Sequence, residues 1–123
     1  MQPPPYGILS TADLPIVQKT STAFRLWYQY LPHMPKLLKH SLGEKITSLF
    51  IQLIELILVA GYSSKDKKLD IVNKAILILD LLKYFLQMAF DLKAIDSKQV
   101  ATLVSPLSEI GKMLGGWKKQ LSQ

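Results

Sequence analysis

Apolar residues recur at three- and four-residue intervals along most of this chain, and no stretch shows the strict apolar–polar alternation of a half-buried strand. Proline, glycine and capping signals divide the pattern into segments of several helical turns each. The predicted helices are Leu14 to Leu31, Ser41 to Ala60, Asp66 to Leu92 and Ser97 to Leu114. Because the connections between them are short, the sequence predicts an all-α fold, an antiparallel up-and-down four-helix bundle.

Capping boxes predict where two of these helices start. In such a box a short side chain accepts a hydrogen bond from the backbone N–H of the third residue after it. The side chain of that third residue accepts a hydrogen bond from the backbone N–H of the first. Ser41 and Glu44 have this spacing before the second helix, and Asp96 and Gln99 have it before the fourth. Both helices therefore carry a start signal of their own.

The second and third helices carry apolar residues on two faces, and such a helix needs two packing partners. Either the helix lies at the centre of the bundle, or its second stripe meets another subunit. A soluble monomer rarely exposes apolar patches beyond roughly a few hundred Å². We therefore predict a homo-oligomeric ring or barrel. Its predicted interface residues are Ile51, Ile54, Leu58, Ile71, Ile78 and Phe85.

Length and composition limit the domains and the chemistry. The chain has 123 residues and a mass of 13.9 kDa, enough for one hydrophobic core. Residues 1–13 are rich in proline and are predicted to form a flexible arm, either a frayed terminus or a strap on a neighbouring subunit. Residues 14–123 are predicted to form the bundle. The absence of cysteine excludes disulfides, thiolate metal sites and cysteine nucleophiles.

The sequence contains no motif typical of an enzyme. It has no glycine-rich phosphate loop before a helix and no nucleophile spaced to meet a base. His33 and His40 flank a proline-containing turn, with no carboxylate cluster nearby, and we interpret them as solvent-exposed rather than as zinc ligands. Glu55 is interpreted as a solvent-facing or interface residue. The sequence therefore predicts a non-catalytic protein without a cofactor.

Positive charge is the remaining signal. Fifteen lysine and arginine residues against nine acidic residues give a net charge of +6, which favours polyanionic partners such as nucleic acid. Lysines also complement helix dipoles and keep a surface soluble. The basic residues form three clusters in the sequence: Lys36/Lys39/His40, Lys65/Lys67/Lys68 and Lys112/Lys118/Lys119.

No segment predicts secretion or membrane insertion. Residues 1–5 lack the order of a signal peptide, in which a basic start precedes an apolar run. The most apolar stretch, Leu49 to Gly61, has thirteen residues, fewer than the ~20 that a membrane span needs. We therefore predict a cytoplasmic protein with no membrane partner.

The C-terminal tail continues the apolar pattern of the fourth helix. Trp117 lies in register with the stripe that ends at Leu114, and the adjacent Gly115-Gly116 either ends the helix or provides small size for close packing. Trp117 is predicted to be largely buried, with Lys118 and Lys119 in solvent. It either only closes the bundle or also fixes the two lysines at the edge of a polyanion-binding surface.

Several segments together are similar to one family, the accessory variability determinant of diversity-generating retroelements. The similarity covers nearly the whole chain after Thr20, and its tail is the most specific part. It lies in Phe24 to Leu31, Leu42 to Ile46, Val72 to Ala75 continuing to Leu82-Lys83 and Asp91-Leu92, and Glu109 to Trp117. The broader group also resembles the four-helix-bundle proteins encoded in 23S ribosomal RNA intervening sequences.

The resemblance implies a basic homopentamer without catalytic activity, which binds the element's reverse transcriptase and nucleic acid, template RNA and DNA, during mutagenic complementary-DNA synthesis. The alternative is an RNA-associated or scaffolding bundle without a polymerase partner. The family's third helix is rich in arginine, whereas the basic residues of Val72 to Leu92 are Lys74 and Lys83 alone. The candidate nucleic-acid-binding residues are Arg25, Lys74, Lys83, Lys112, Lys118 and Lys119.

Overall fold

The fold is a bundle of four helices, seen in a computed structural model that describes residues 14–123. The helices are α1 (Pro15–Tyr30), α2 (Lys36–Tyr62), α3 (Lys65–Asp91) and α4 (Ser97–Leu121). Each helix packs against the next one in the chain, and α4 closes the bundle against α1. The described residues contain no strand. The predicted all-α bundle is therefore confirmed for the single chain, while the predicted N-terminal arm lies outside the described residues.

One apolar stripe from each helix forms a continuous core. The three- and four-residue spacing predicts one core stripe on α2, from Leu42 to Ala60, and one on α3, from Val72 to Ala89. These stripes are buried, with the exception of the half-buried Ile76. Burial of these side chains removes their apolar surface from water, the main favourable contribution to folding. The buried residues of the two central helices are Leu42, Ile46, Leu49, Phe50, Leu53, Ile57 and Ala60 on α2, and Val72, Ala75, Leu79, Leu82, Leu86 and Ala89 on α3.

Trp27 joins α1 to α2 at the centre of the core. Its side chain has 0% exposure, and its ring stacks on Phe50 with centroids 6.4 Å apart. The indole Nε1–H donates to Thr47 Oγ1 at 2.9 Å, and the Thr47 hydroxyl donates in turn to the Gly43 carbonyl at 2.8 Å. The one polar atom of the largest core side chain is therefore satisfied.

The predicted capping box at Ser41 and Glu44 is wrong. Helix α2 starts directly after Pro35 and runs through a π-helical turn at residues 39–43, so that Ser41 lies inside the helix. Its hydroxyl donates to the Leu37 carbonyl at 2.9 Å. Serine can satisfy its hydroxyl on the preceding turn as well as at a cap, so the local motif does not by itself stop the helix from starting earlier.

The predicted capping box at Asp96 and Gln99 is confirmed. The backbone N–H of Gln99 donates to Asp96 Oδ1 at 2.7 Å, and the backbone N–H of Asp96 donates to Gln99 Oε1 at 2.9 Å. Here helix α3 ends at Asp91, and the loop that follows it turns at Lys93, which has a positive φ of 62°. The chain has therefore already left helical geometry before the box, unlike the chain before Ser41.

Helix α4 does not end at Gly115 and Gly116 but continues to Leu121. A Cβ added at either glycine would meet no atom within 4 Å, so close packing within this chain does not require their small size. Glycine disfavours a helix, but Trp117 and Leu121 pack against the core beyond it. This packing offsets the roughly 2 kcal/mol of propensity that two glycines cost.

Helix α2 is long and apolar enough to cross a membrane by length and composition alone. It exceeds the thirteen-residue stretch seen in the sequence because it extends towards Lys36. A core helix of a soluble bundle has the same composition, and seven residues of α2 pack into the core described above. Its outer side carries Glu44, Gln52 and Glu55, all exposed.

Replacement of Thr47 by valine should destabilise the fold because it removes the acceptor of the buried Trp27 N–H. An unsatisfied buried donor costs about 1–3 kcal/mol. Urea unfolding followed by circular dichroism measures the change. Thr47→Ser keeps the hydroxyl and is the matched control, which should retain most of the stability; equal losses in the two variants would show that the hydrogen bond contributes nothing.

Replacement of Gly115 and Gly116 by alanine should stabilise α4, by about 1–2 kcal/mol for the pair, since alanine has the higher helix propensity and the added Cβ atoms meet open space. Gly43→Ala is the contrasting variant and should gain less stability, because a Cβ there would lie 2.9 Å from Leu31 Cδ1, which would have to shift. Thermal unfolding compares the variants. A loss of stability in the double variant would mean that the glycines are needed for a contact outside the single chain.

Candidate nucleic-acid interface

Two of the candidate lysines lie in one groove between α3 and α4. Lys83 and Lys112 line it together with Asp80 and Gly111. Lys83 is half-buried and extends over Gly111, where an added Cβ would lie 3.4 Å from its Nζ. The groove therefore holds two cations and one carboxylate close to the helix backbone.

The other two candidates on α4, Lys118 and Lys119, are exposed at its C-terminal end, which confirms the prediction that they face solvent. Because α3 and α4 run in opposite directions, this end meets the start of α3. Lys65, Lys67 and Lys68 lie there. These five lysines, which we call the bundle-end cluster, combine two basic clusters that lie about fifty residues apart in the sequence.

Lys68 connects the two halves of the bundle-end cluster. Its Nζ lies 5.9 Å from the ring centroid of Trp117, within the range of a cation–π contact. The same ammonium donates to the carbonyl of Ala60 at 2.9 Å and to that of Gly61 at 3.4 Å. It thereby caps the C-terminus of α2, where a cation also complements the helix dipole.

The Lys65/Lys67/Lys68 cluster is visible in the sequence but was not among the candidate binding residues. The antiparallel topology was already predicted, and it requires the start of α3 to lie beside the end of α4. That topology was the signal that would have joined the two clusters.

Trp117 is half-buried rather than largely buried, so this prediction is wrong in degree. Its ring packs against the core on one side. It lies in the last two turns of α4, where the start of α1, the end of α2 and Lys68 at the start of α3 flank the helix. The end of a bundle leaves a large side chain fewer neighbours than the middle does.

The remaining two candidates, Lys74 and Arg25, lie elsewhere. Lys74 and Lys83 are nine residues apart on α3, which is two and a half helical turns, so they point to opposite sides of that helix. Lys74 pairs with Asp70 at 3.3 Å. Arg25 is exposed on α1, the helix diagonally across the bundle from α3. The structure therefore brings Lys83 and Lys112 into one groove, places Lys118 and Lys119 at the end of α4, and separates Lys74 and Arg25 from them.

Two of the six predicted interface residues have identified neighbours within the bundle. On α2, Ile51 lines a groove that also contains Leu31 from the end of α1. On α3, Phe85 faces α2, where Lys45 Nζ lies 5.9 Å from its ring centroid. Of the six, Ile51 is exposed and the other five are half-buried. Much of the apolar surface attributed to a partner is therefore used within the bundle.

A different apolar surface runs along the outer side of α3. Leu77, Leu81 and Tyr84 are 58%, 38% and 60% exposed, and the half-buried Met88 follows. Their spacing of four, three and four residues places them on one helical face. We call these four residues the outer α3 stripe. This stripe was not predicted from the sequence, because the spacing of three and four residues also aligns Leu81 and Met88 with Ile78 and Phe85.

An ion pair links α1 to α4 on another side of the bundle. Lys19 Nζ contacts the Glu109 carboxylate. The hydrogen bond and the positive charge of Lys19 hold the pKa of Glu109 below its ordinary value. About three turns farther along α1, the Tyr30 hydroxyl and Thr102 Oγ1 lie 2.6 Å apart. These contacts connect two helices at the surface and create no reactive group.

Within residues 14–123 no three histidine, aspartate or glutamate side chains lie close enough together to hold a metal ion. His33 and His40 are exposed, as predicted. His40 Nδ1 lies 3.5 Å from Glu44 Oε1, an i, i+4 pair on the surface of α2.

These features define a class of protein: a small helical bundle with a cationic end and exposed apolar surface along one helix. A family model described as bAvd-like matches residues 14–121, almost all of the described chain. The chain therefore belongs to the bAvd-like family of accessory variability determinants, to which its sequence motifs are similar. No curated protein matches the chain.

Proposed function

We propose that this protein is a non-catalytic accessory subunit of a diversity-generating retroelement, which binds nucleic acid and the element's reverse transcriptase and supports mutagenic complementary-DNA synthesis. The family match over residues 14–121 is the observation that carries this proposal. The alternative is a four-helix-bundle RNA-associated or scaffolding protein without a polymerase partner. A neighbouring reverse-transcriptase gene, with a template and variable repeat pair that differs at adenines, separates the two.

The bundle-end cluster supports nucleic-acid binding. It places five lysines around one end of the bundle, and four of them are exposed. Phosphate groups that contact such lysines release their counterions, which gives affinity with little dependence on base sequence. Asp66 is the acidic residue within this part of α3, and it accepts a hydrogen bond from Ser64 at 2.5 Å.

Removal of Lys118 and Lys119 by alanine substitution should weaken binding to single-stranded RNA and lower the salt slope by about two units for each subunit engaged. Fluorescence anisotropy between about 50 and 300 mM salt measures both quantities. Lys36→Ala/Lys98→Ala is the matched control, since it removes the same charge from exposed positions at the opposite end of the bundle.

Two results would contradict the electrostatic proposal. Equal losses in the two double variants would mean that net charge, rather than the bundle-end cluster, determines binding. Affinity that stays constant across the salt range would mean that phosphate contacts contribute little.

We also propose that the chain forms a closed ring in the cytoplasm, and the family resemblance implies five subunits. The outer α3 stripe supports self-association, because it exposes Leu77, Leu81 and Tyr84 along one face. Exposed apolar stripes of this kind mark contact surfaces in soluble proteins. Cyclic symmetry would use the same stripe in every subunit.

Introduction of glutamate at Leu77 and Tyr84 should dissociate the ring, since the new charges would have to be buried at an interface. Light scattering should give a multiple of 13.9 kDa for the wild-type chain and the protomer mass for the variant. Ala101→Glu/Ser105→Glu adds the same charge to exposed positions on α4 and should leave the mass unchanged. A wild-type mass of one protomer at micromolar concentration would overturn the ring.

A further inference from the structure

A cleft of about 460 Å³ opens at the same end of the bundle as the bundle-end cluster. The side chains of Leu14, Ile16, Met113 and Trp117 give it an apolar wall. Among the described residues that line it, Lys68 and Gln120 supply the polar side chains. Its volume falls within the range of roughly 300–1,000 Å³ typical of ligand pockets.

Aromatic and cationic groups meet in this cleft. The half-buried indole of Trp117 forms part of its wall, and Lys68 Nζ lies 5.9 Å from the ring centroid. The exposed lysines 65, 67, 118 and 119 lie at the same end of the bundle, on α3 and α4. An apolar aromatic cavity with one cation in its wall and further cations at the same end is complementary to a ligand with a flat, apolar body and negative charge beside it.

We infer that this cleft takes an unpaired base of a single-stranded nucleic acid, with the flanking phosphates on the bundle-end cluster. The inference rests on the proposed function, because it specifies how nucleic acid is bound. Stacking on an aromatic side chain tolerates any base sequence, since every base has a π face. A base inside a duplex is already stacked on its neighbours and cannot enter the cleft without leaving the helix.

Charge complementarity favours this occupant over an apolar one. An apolar peptide could fill the apolar wall, but it would leave the lysines of the bundle-end cluster without a counter-charge. The segment that precedes Leu14 carries a single acidic residue, Asp13, against these five lysines. A strand of nucleic acid satisfies both parts at once, because bases and phosphates alternate along it. Base binding should therefore add affinity beyond that of the phosphate contacts alone.

The emission of Trp117 provides a direct test in the full-length wild-type chain. The chain has two tryptophans, and Trp27 has 0% exposure, so stacking of a ligand can quench Trp117 alone. Three probes of about 12 nucleotides compare the contributions: a single-stranded oligouridine, an abasic strand of equal length, and a duplex. We expect quenching by the oligouridine and little change with the other two at equal saturation.

Trp117→Leu keeps an apolar side chain in the cleft but removes the stacking surface. It should weaken binding of the oligouridine about tenfold, the size of one base–aromatic stack, and leave the abasic strand and the duplex unaffected. Lys118→Ala/Lys119→Ala should instead weaken all three probes. The wild-type quenching series needs no variant and remains decisive if Trp117→Leu unfolds.

The outcomes separate the inference from the function on which it rests. Equal quenching and equal affinity for the oligouridine and the abasic strand would overturn base binding in the cleft while nucleic-acid binding stands. The same result is expected if the segment before Leu14 fills the cleft. Failure of all three probes to bind at low salt would overturn the inference and the proposed nucleic-acid function together.

Discussion

Burial of one apolar stripe from each helix is the constraint on which the rest of the structure depends. Once α3 and α4 pack their stripes together in opposite directions, the start of one must lie beside the end of the other. Residues distant in sequence then become neighbours, as Lys68 and Trp117 show at 5.9 Å, and the lysines beside each of them come to lie at one end of the bundle. The cationic end of the bundle is therefore a consequence of core packing and needs no motif of its own.

Long-range packing also decides which local signals of the sequence are used. The periodicity predicted all four helices and the core residues of α2 and α3 because it reports the packing itself. The capping box at Asp96 was predictable because the preceding chain turns at Lys93. The signals at Ser41 and at Gly115 were misleading, since apolar side chains on both sides of each site reach the core and extend the helix across it.

The candidate site could be predicted only in part. Periodicity shows which face of a helix a residue lies on, but it does not give the distance from that residue to another helix. Lys118 and Lys119 were correctly expected in solvent, whereas Lys74 and Lys83 share a helix yet lie on opposite sides of it. The apolar surface shows the same limit. In the sequence, Phe85 was counted as apolar surface in excess of the core, because its neighbour on α2 belongs to another segment. Leu77 and Tyr84, in contrast, remain exposed after folding.

The proposed assembly and the proposed nucleic-acid binding would use separate parts of the protomer. The outer α3 stripe runs along the side of the bundle, whereas the cluster and its cleft occupy one end. In a cyclic assembly whose subunits contact one another through their sides, the same end of every subunit would lie on one face of the ring. Several weak contacts on one strand then act as linked sites, and their combined affinity exceeds that of any single end. In the proposed ring, a modest charge of +6 on each chain would therefore be enough for a strong polyanion-binding surface.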